Sequence, residues 1–193
     1  YIFYGGARSG GKTFWGVTEV ARACLQYPGL KATIIRRTHK ELNRQIIRLF
    51  TSLFPEGSPD SGGLYRYLRA QKMIQWHNGS VIDFVSLDKN KDAWKEQGVE
   101  THLYFVDEAP QLPEDVLAKL RGSCRNSNIK GWKPTIIMSG NPGGMSDAYF
   151  KSRFIKPEYH KWSEGEKREK HEYKFIPATV FDNPTLLKND PGY

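Results

Sequence analysis

Residues Gly6-Ala7-Arg8-Ser9-Gly10-Gly11-Lys12-Thr13 keep the spacing G-x-x-x-x-G-K-[ST], and the chain enters them directly from the apolar run Tyr1-Ile2-Phe3-Tyr4. The chemistry open to such a stretch is phosphate binding. Its glycines let the backbone curl so that successive N–H groups point inward at phosphate oxygens, and a following helix adds the positive end of its dipole. Lys12 is spaced to reach the β- and γ-phosphates, and the Thr13 hydroxyl to hold Mg²⁺. A chance glycine-rich turn satisfies the same short pattern. The apolar run before it and the helical run Phe14 to Leu25 after it supply the context that a chance turn lacks, so residues 6–13 read as a nucleoside triphosphate loop.

Two further stretches carry chemistry. Asp107-Glu108 ends the apolar run Leu103-Tyr104-Phe105-Val106, and ligands of open α/β sheets bind at the carboxyl ends of strands. Asp107 is then placed to hold Mg²⁺, directly or through water, and Glu108 to polarise the water that attacks the γ-phosphate. The bland alternative is an acidic pair that caps the next helix. Ser139-Gly140-Asn141-Pro142-Gly143-Gly144 ends another apolar run, Thr135-Ile136-Ile137-Met138. An amide at Asn141 can hydrogen-bond the γ-phosphate or the attacking water, although a Gly/Pro/Asn run after a strand is also an ordinary turn.

The elements that must position these groups alternate between strand and helix. Strands are expected at Tyr1 to Tyr4, Ala32 to Arg36, Leu103 to Val106, Thr135 to Met138 and Glu172 to Ile176. Helices are expected from Lys12 to about Tyr27, with Pro28-Gly29 as the stop, then from His39 to Phe54, Pro113 to Leu120 and Ala148 to Phe154. Met73 to Trp76 and Ser80 to Val85 flank His77-Asn78-Gly79 and read as a β-hairpin inserted on the main sheet; Pro55 to Gly63 reads as a loop. The mixed-sign run 163–170 reads as a solvated face. Short apolar runs without alternation are the mark of strands buried on both faces, so the fold class is α/β with a central, mostly parallel sheet. Trp76, Trp94, Trp132 and Trp162 cannot be divided between core and surface from sequence.

The chain has 193 residues, a length that fits one domain (1–193) with a sizeable core, and both ends read as cut from a longer protein. Its two cysteines, Cys24 and Cys124, form no C-x-x-C pair, and its five histidines have no metal-ligand spacing, which argues against a structural zinc or a disulfide framework and for a reducing, intracellular setting. No stretch has the apolar length of a membrane span. Lys and Arg total 29 against 21 Asp and Glu, a net charge of +8 that favours a polyanionic partner. Lys40, Arg44 and Arg48 recur at four-residue spacing opposite Leu42, Ile46, Leu49 and Leu53, with Arg36 and Arg37 just ahead. They fit either a solvated helix face or a contact to the phosphate backbone of DNA.

Taken in order, residues 5–13, Ile35-Arg36-Arg37-Thr38, Phe105-Val106-Asp107-Glu108-Ala109 and Ser139 to Gly144 resemble the ATPase domain of the large terminase subunit of tailed bacteriophages. Lys151-Ser152-Arg153-Phe154-Ile155 and Phe181-Asp182-Asn183-Pro184-Thr185-Leu186 add to the likeness, which spans nearly the whole chain. The resemblance implies a RecA-like P-loop NTPase of the ASCE division, using ATP and Mg²⁺. It implies hydrolysis coupled to translocation of double-stranded DNA into a procapsid, by a ring on the portal protein working with a small terminase subunit in the cytoplasm of the infected host. Gly6 to Thr13 would bind ATP; Lys12, Arg8, Glu108 and Asn141 would act in catalysis; Thr13 and Asp107 would hold the metal; Ser139, Gly140 and Asn141 would form the coupling motif. The segment that contacts adenine and the C-terminal nuclease domain of the family have no counterpart among these residues. An arginine must stabilise charge on the transferred phosphoryl; Arg8 resembles the family arginine that acts near the phosphates, and the resemblance also suggests one supplied by a neighbouring subunit. The stretch shortly before the acidic pair offers Lys91 and Lys95 and no arginine, so Arg121 and Arg125 are the candidates for a neighbour's finger.

Other readings share the loop. A regulatory GTPase would need N-K-x-D, which Asn90-Lys91-Asp92 misses. A metabolite kinase seldom needs Glu108. A helicase or recombination ATPase shares the sheet, the acids and the basic surface, and a non-hydrolysing, nucleotide-gated module shares the loop.

Overall fold

The computed structural model describes residues 1–8, 10–87, 100–183 and 188–189. Ser9, the stretch with Asn90, Lys91, Trp94 and Lys95, and Pro184 to Leu186 lie outside the described residues. Eight strands form one sheet: β1 (Ile2–Gly6), β2 (Lys31–Arg36), β3 (Tyr65–Leu68), β4 (Met73–Trp76), β5 (Val81–Ser86), β6 (Leu103–Val106), β7 (Thr135–Gly140) and β8 (Lys174–Ala178). Their spatial order is β3-β4-β5-β2-β6-β7-β1-β8. From β5 to β8 every neighbouring pair is parallel, whereas β3-β4 and β4-β5 are antiparallel.

The expected hairpin forms, with Gly79 at φ 84° in its turn. It is not a separate insertion, however. Its second arm, β5, pairs with β2 over six residues and so belongs to the parallel sheet; the antiparallel extension is β4 together with β3, a strand that sequence patterning did not suggest.

Helix α1 (Lys12–Gln26) follows the loop directly. Next comes α2, one continuous helical run made of an α-turn His39–Glu41, a π segment Leu42–Ile47 and an α segment Arg48–Leu53. The wider π turn shifts the apolar stripe. Leu42, Ile46, Ile47 and Phe50 are the buried residues, and Leu53, expected inside, is among the exposed hydrophobics. Helix α3 (Glu114–Ser123) follows β6, and α4 joins an α-turn Asp147–Phe150 to a second π segment, Lys151–Ile155.

Alternate strand residues supply the two faces of the sheet, because successive side chains of a strand point to opposite sides. Ala32, Ile34, Phe105 and Ile137 pack with α1 and α2 in one core. Phe3, Ile35, Tyr104, Val106, Ile136 and Met138 pack with α3 and α4 in the other. The sheet is thus the middle layer of three, and its parallel strands end on a common edge with β7 standing between β1 and β6. Trp76 and Trp162 are core residues, and Trp132 is partly buried against the first core.

The charged run near the end is less solvated than its composition suggests. A short helix Glu164–Arg168 starts at a capping box between Ser163 and Glu166, and the buried Glu166 accepts from Arg153 at 3.0 Å.

Candidate nucleotide site

The loop between β1 and α1 is held from below. Gly6 has φ 133°, and a Cβ there would collide with the carbonyl oxygen of Ala178, so only glycine lets β1 leave the sheet beside β8 at this point. Ala7 N–H donates to that same carbonyl at 2.9 Å, and the Tyr4 hydroxyl donates to Gly10 O at 3.0 Å. Gly11 caps α1 in the left-handed region, at φ 71°. Lys12 is buried and its ammonium donates to the Ala7 carbonyl. Burial lowers its pKa, with Glu108 and Asp107 acting in the opposite sense.

Asp107 follows β6 and is almost wholly buried. Its carboxylate accepts from the Thr13 hydroxyl (3.1 and 3.2 Å to the two oxygens), from Ser139 Oγ at 2.5 Å and from Arg36 Nη1. The start of α1 and the ends of β2, β6 and β7 therefore meet at one acid. Glu108 takes the left-handed conformation (φ 55°, ψ 40°), uncommon for a residue with a Cβ, which turns the chain sharply after the strand. Burial raises the Glu108 pKa, and the neighbouring Asp107 adds to the rise.

Asn141 Nδ2 donates to Glu108 Oε1 at 3.4 Å, whereas Asn141 Oδ1 is buried without a partner. The loop that carries Asn141 is fixed to the turn after Glu108 through Pro110. A Cβ on Gly140 would collide with Pro110 Cδ, and Ser146 donates to Pro110 O through both N–H (3.1 Å) and Oγ (3.3 Å).

An open cleft of about 670 Å³ runs over these groups. Arg8, Gly10, Gly11, Lys12, Thr13, Glu108 and Asn141, all anticipated from sequence, line it. So do Phe14, Arg36, Gln45, Gln111 and Asn183. Gln45 and Gln111 belong to no motif; each reaches the wall through the turn of its helix, which no spacing rule encodes.

The surroundings of Thr13 and Asp107 suit a hard cation. A hydroxyl and a carboxylate are oxygen donors, and Mg²⁺ takes one or two carboxylates plus substrate phosphates and water in preference to an all-protein cage. Among the described residues no group of three or more His, Cys, Asp or Glu side chains is assembled.

Two expectations need correction. Arg36 does not share a surface with Arg37, Lys40, Arg44 and Arg48: those four are exposed, but Arg36 is 5% exposed and ion-paired with Asp107. As the last residue of β2 its side chain follows the buried edge of the sheet. Arg121 is not free to serve a neighbour. Its guanidinium lies 5.0 Å from the Tyr1 ring centre and bonds Glu169 at 3.0 Å and the Tyr1 hydroxyl at 3.2 Å, with Glu166 at 3.5 Å. Arg125 is exposed beside Thr101, near the amino end of β6 and away from the cleft.

A mostly parallel sheet with an extra strand between the loop strand and the acidic strand, and an open cleft across its carboxyl edge, define an α/β fold of the RecA-like, ASCE P-loop type. Residues 2–193 match the family described as terminase large subunit, T4likevirus-type, N-terminal, and the chain belongs to that family. Solved structures agree on the fold. The large terminase of a thermophilic bacteriophage superposes with TM-score 0.69 at 20% identity, covering 97% of this chain and 42% of that one. The same phage protein in complex with ATP-γ-S gives TM-score 0.66 at 20% identity, covering 97% and 41%. The large terminase ATPase domain of Thermus phage P74-26 gives TM-score 0.59 at 15% identity, covering 97% and 79%. The chain thus spans about two fifths of the length of the first of these proteins. No curated protein matches it. Among the described residues no helix is long and apolar enough to cross a membrane.

Proposed function

We propose that this chain binds ATP with Mg²⁺ on the loop 6–13 and hydrolyses it, and that the whole protein uses the reaction to drive double-stranded DNA into a procapsid. The observation that carries the chemical part is the meeting of Lys12, Thr13, Glu108 and Asn141 around one cleft, with Asp107 buried behind Thr13 and hydrogen-bonded to it. Lys12 exchanges the Ala7 carbonyl for a phosphate oxygen, a stronger, charge-assisted partner. Thr13 and Asp107 would hold Mg²⁺, which when bound neutralises phosphate charge. Glu108 accepts a proton from the attacking water; its raised pKa makes it a better base than an ordinary carboxylate. Asn141 Oδ1, buried and unpaired, is an acceptor for the same water, and Nδ2 keeps Glu108 in line. Arg8, which lines the cleft, is the arginine assigned to charge on the transferred phosphoryl.

The DNA part rests on family membership and on the exposed cations Arg37, Lys40, Arg44 and Arg48. The same membership supports a ring on the portal, a small terminase subunit as partner, and the host cytoplasm as the place of action. Arg125, exposed near the amino end of β6, is the other candidate for an arginine donated to a neighbour.

Titration with a fluorescent ATP analogue, paired with phosphate release, tests the chemical part. Lys12→Ala should lose productive binding and turnover. Unchanged affinity together with unchanged phosphate release would remove the site assignment.

A further inference from the structure

Arg36 and Asp107 sit at the carboxyl ends of neighbouring parallel strands, where Ile35 pairs with Val106 and Asp107 N–H donates to Ile35 O at 2.9 Å. Their side chains form a buried ion pair, of which Arg36 lines the cleft. Arg36 Nε is buried without a hydrogen-bond partner; a second acid, Glu41, has its Oε2 3.9 Å away in the first turn of α2. Glu41 is itself fixed there, since Thr38 Oγ1 donates to Glu41 Oε2 at 2.9 Å and accepts from Glu41 N–H at 3.3 Å.

The Asp107 carboxylate therefore accepts from Thr13, Ser139 and Arg36 at once. A guanidinium on the acid that would serve a divalent cation competes with that cation, by occupying an oxygen and by like-charge repulsion in a poorly hydrated place. A buried cation that gives up one acid needs another partner. Glu41 is the acid within reach, and the unused Nε already faces it.

We propose that Arg36 is a positioning residue that exchanges partners, holding Asp107 in the metal-free state and passing to Glu41 when Asp107 serves Mg²⁺ with nucleotide. The inference rests on the nucleotide reading above. It makes Arg36 a competitor of the metal, so that neutralising it tightens metal binding instead of weakening it.

The experiment is a Mg²⁺ titration of the protein with methylanthraniloyl-ADP, read by nucleotide fluorescence, with each midpoint referred to the same variant's nucleotide affinity in EDTA. Arg36→Gln should lower the Mg²⁺ midpoint by roughly tenfold, the order expected for removing a unit charge a few ångström away under strong screening. Arg36→Lys keeps the charge and should stay close to the wild type. Glu41→Gln removes the second partner, leaves Arg36 on Asp107 and should raise the midpoint by about twofold to fivefold, the range of a partly exposed ion pair. A purely structural Arg36 predicts the reverse for Arg36→Gln, a raised midpoint, because Asp107 would lose its orientation. That result, or an unchanged midpoint in Glu41→Gln, would overturn the exchange. Should Arg36→Gln not fold, the half-exposed Glu41→Gln decides alone. Failure of the wild type to bind methylanthraniloyl-ADP in any condition would overturn the nucleotide reading itself, and the exchange with it.

Discussion

Asn141 holds Glu108 with one end of its amide and leaves the other unpaired: Nδ2 donates to Glu108 Oε1 at 3.4 Å, and Oδ1 is buried with no donor. An unmet acceptor in a buried wall costs free energy, about 1–3 kcal/mol in typical cases. Under the proposed function, that acceptor is free to orient the attacking water.

Glu108→Gln should keep ATP and Mg²⁺ binding and lose hydrolysis, because the amide retains the shape but accepts no proton. A single-turnover rate lowered by about 10²–10⁴-fold is expected from the usual size of a general-base contribution. A rate within a factor of two of wild type would move the role to another group.

The pH dependence follows from the raised pKa of Glu108, caused first by burial and then by Asp107. The base works deprotonated, so turnover is full above its pKa and falls as pH drops through it. That fall should lie at higher pH than the ordinary glutamate value of about 4.3. The same shift makes a stability statement. An acid whose folded pKa is raised favours the folded state at low pH, when it is protonated, and loses that contribution as pH rises through the folded pKa. Glu108→Gln should abolish this effect, seen by comparing denaturation midpoints of the two proteins across pH.

Gly140→Ala should separate the loop that carries Asn141 from the turn after Glu108. Its Cβ would collide with Pro110 Cδ, and that ring cannot retreat because Ser146 holds the Pro110 carbonyl. Overpacking of this kind costs roughly 1–3 kcal/mol. Urea denaturation reads the loss. An unaffected midpoint would show that the packing there is loose.

Arg121→Ala should act on folding and not on a neighbour's chemistry. The side chain bridges Tyr1, Glu166 and Glu169, and removing a half-buried cation–π and ion-pair cluster of this kind costs roughly 1–2 kcal/mol. Mixing Arg121→Ala subunits with Glu108→Gln subunits should recover no more hydrolysis than dilution predicts. Recovery above that level would restore Arg121 as a finger; the same mixture with Arg125→Ala tests the other candidate.

Replacing Arg37, Lys40, Arg44 and Arg48 together by Ala should weaken binding to duplex DNA of any sequence. Every DNA phosphate that is no longer neutralised should reduce the slope of log affinity against log salt by about 0.9. An unaltered slope would return the helix to a solvated face.

The loop 6–13, the acidic pair and the Ser139 to Asn141 run were legible in the sequence because each follows from local rules. Glycine spacing sets where a backbone can curl, and an apolar run followed by a polar residue marks a strand end on the ligand edge of a parallel sheet. The same rules placed the central strands to within a residue or two. What they could not decide is which strand ends become neighbours. Arg36 read as the first member of a basic cluster by its adjacency to Arg37, yet the order β2-β6 sets it against Asp107 and buries it. Arg121 read as a free helix-end cation until Tyr1 and Glu169, 120 and 48 residues away in the chain, closed around it. The π turn in α2 inserted a residue into the expected four-residue rhythm and exchanged Ile47 for Leu53 in the core. A side chain's type and its near neighbours determine what chemistry it can do. Whether its charge faces water, DNA or a buried carboxylate depends on contacts between distant segments, and these exist only once the sheet has assembled.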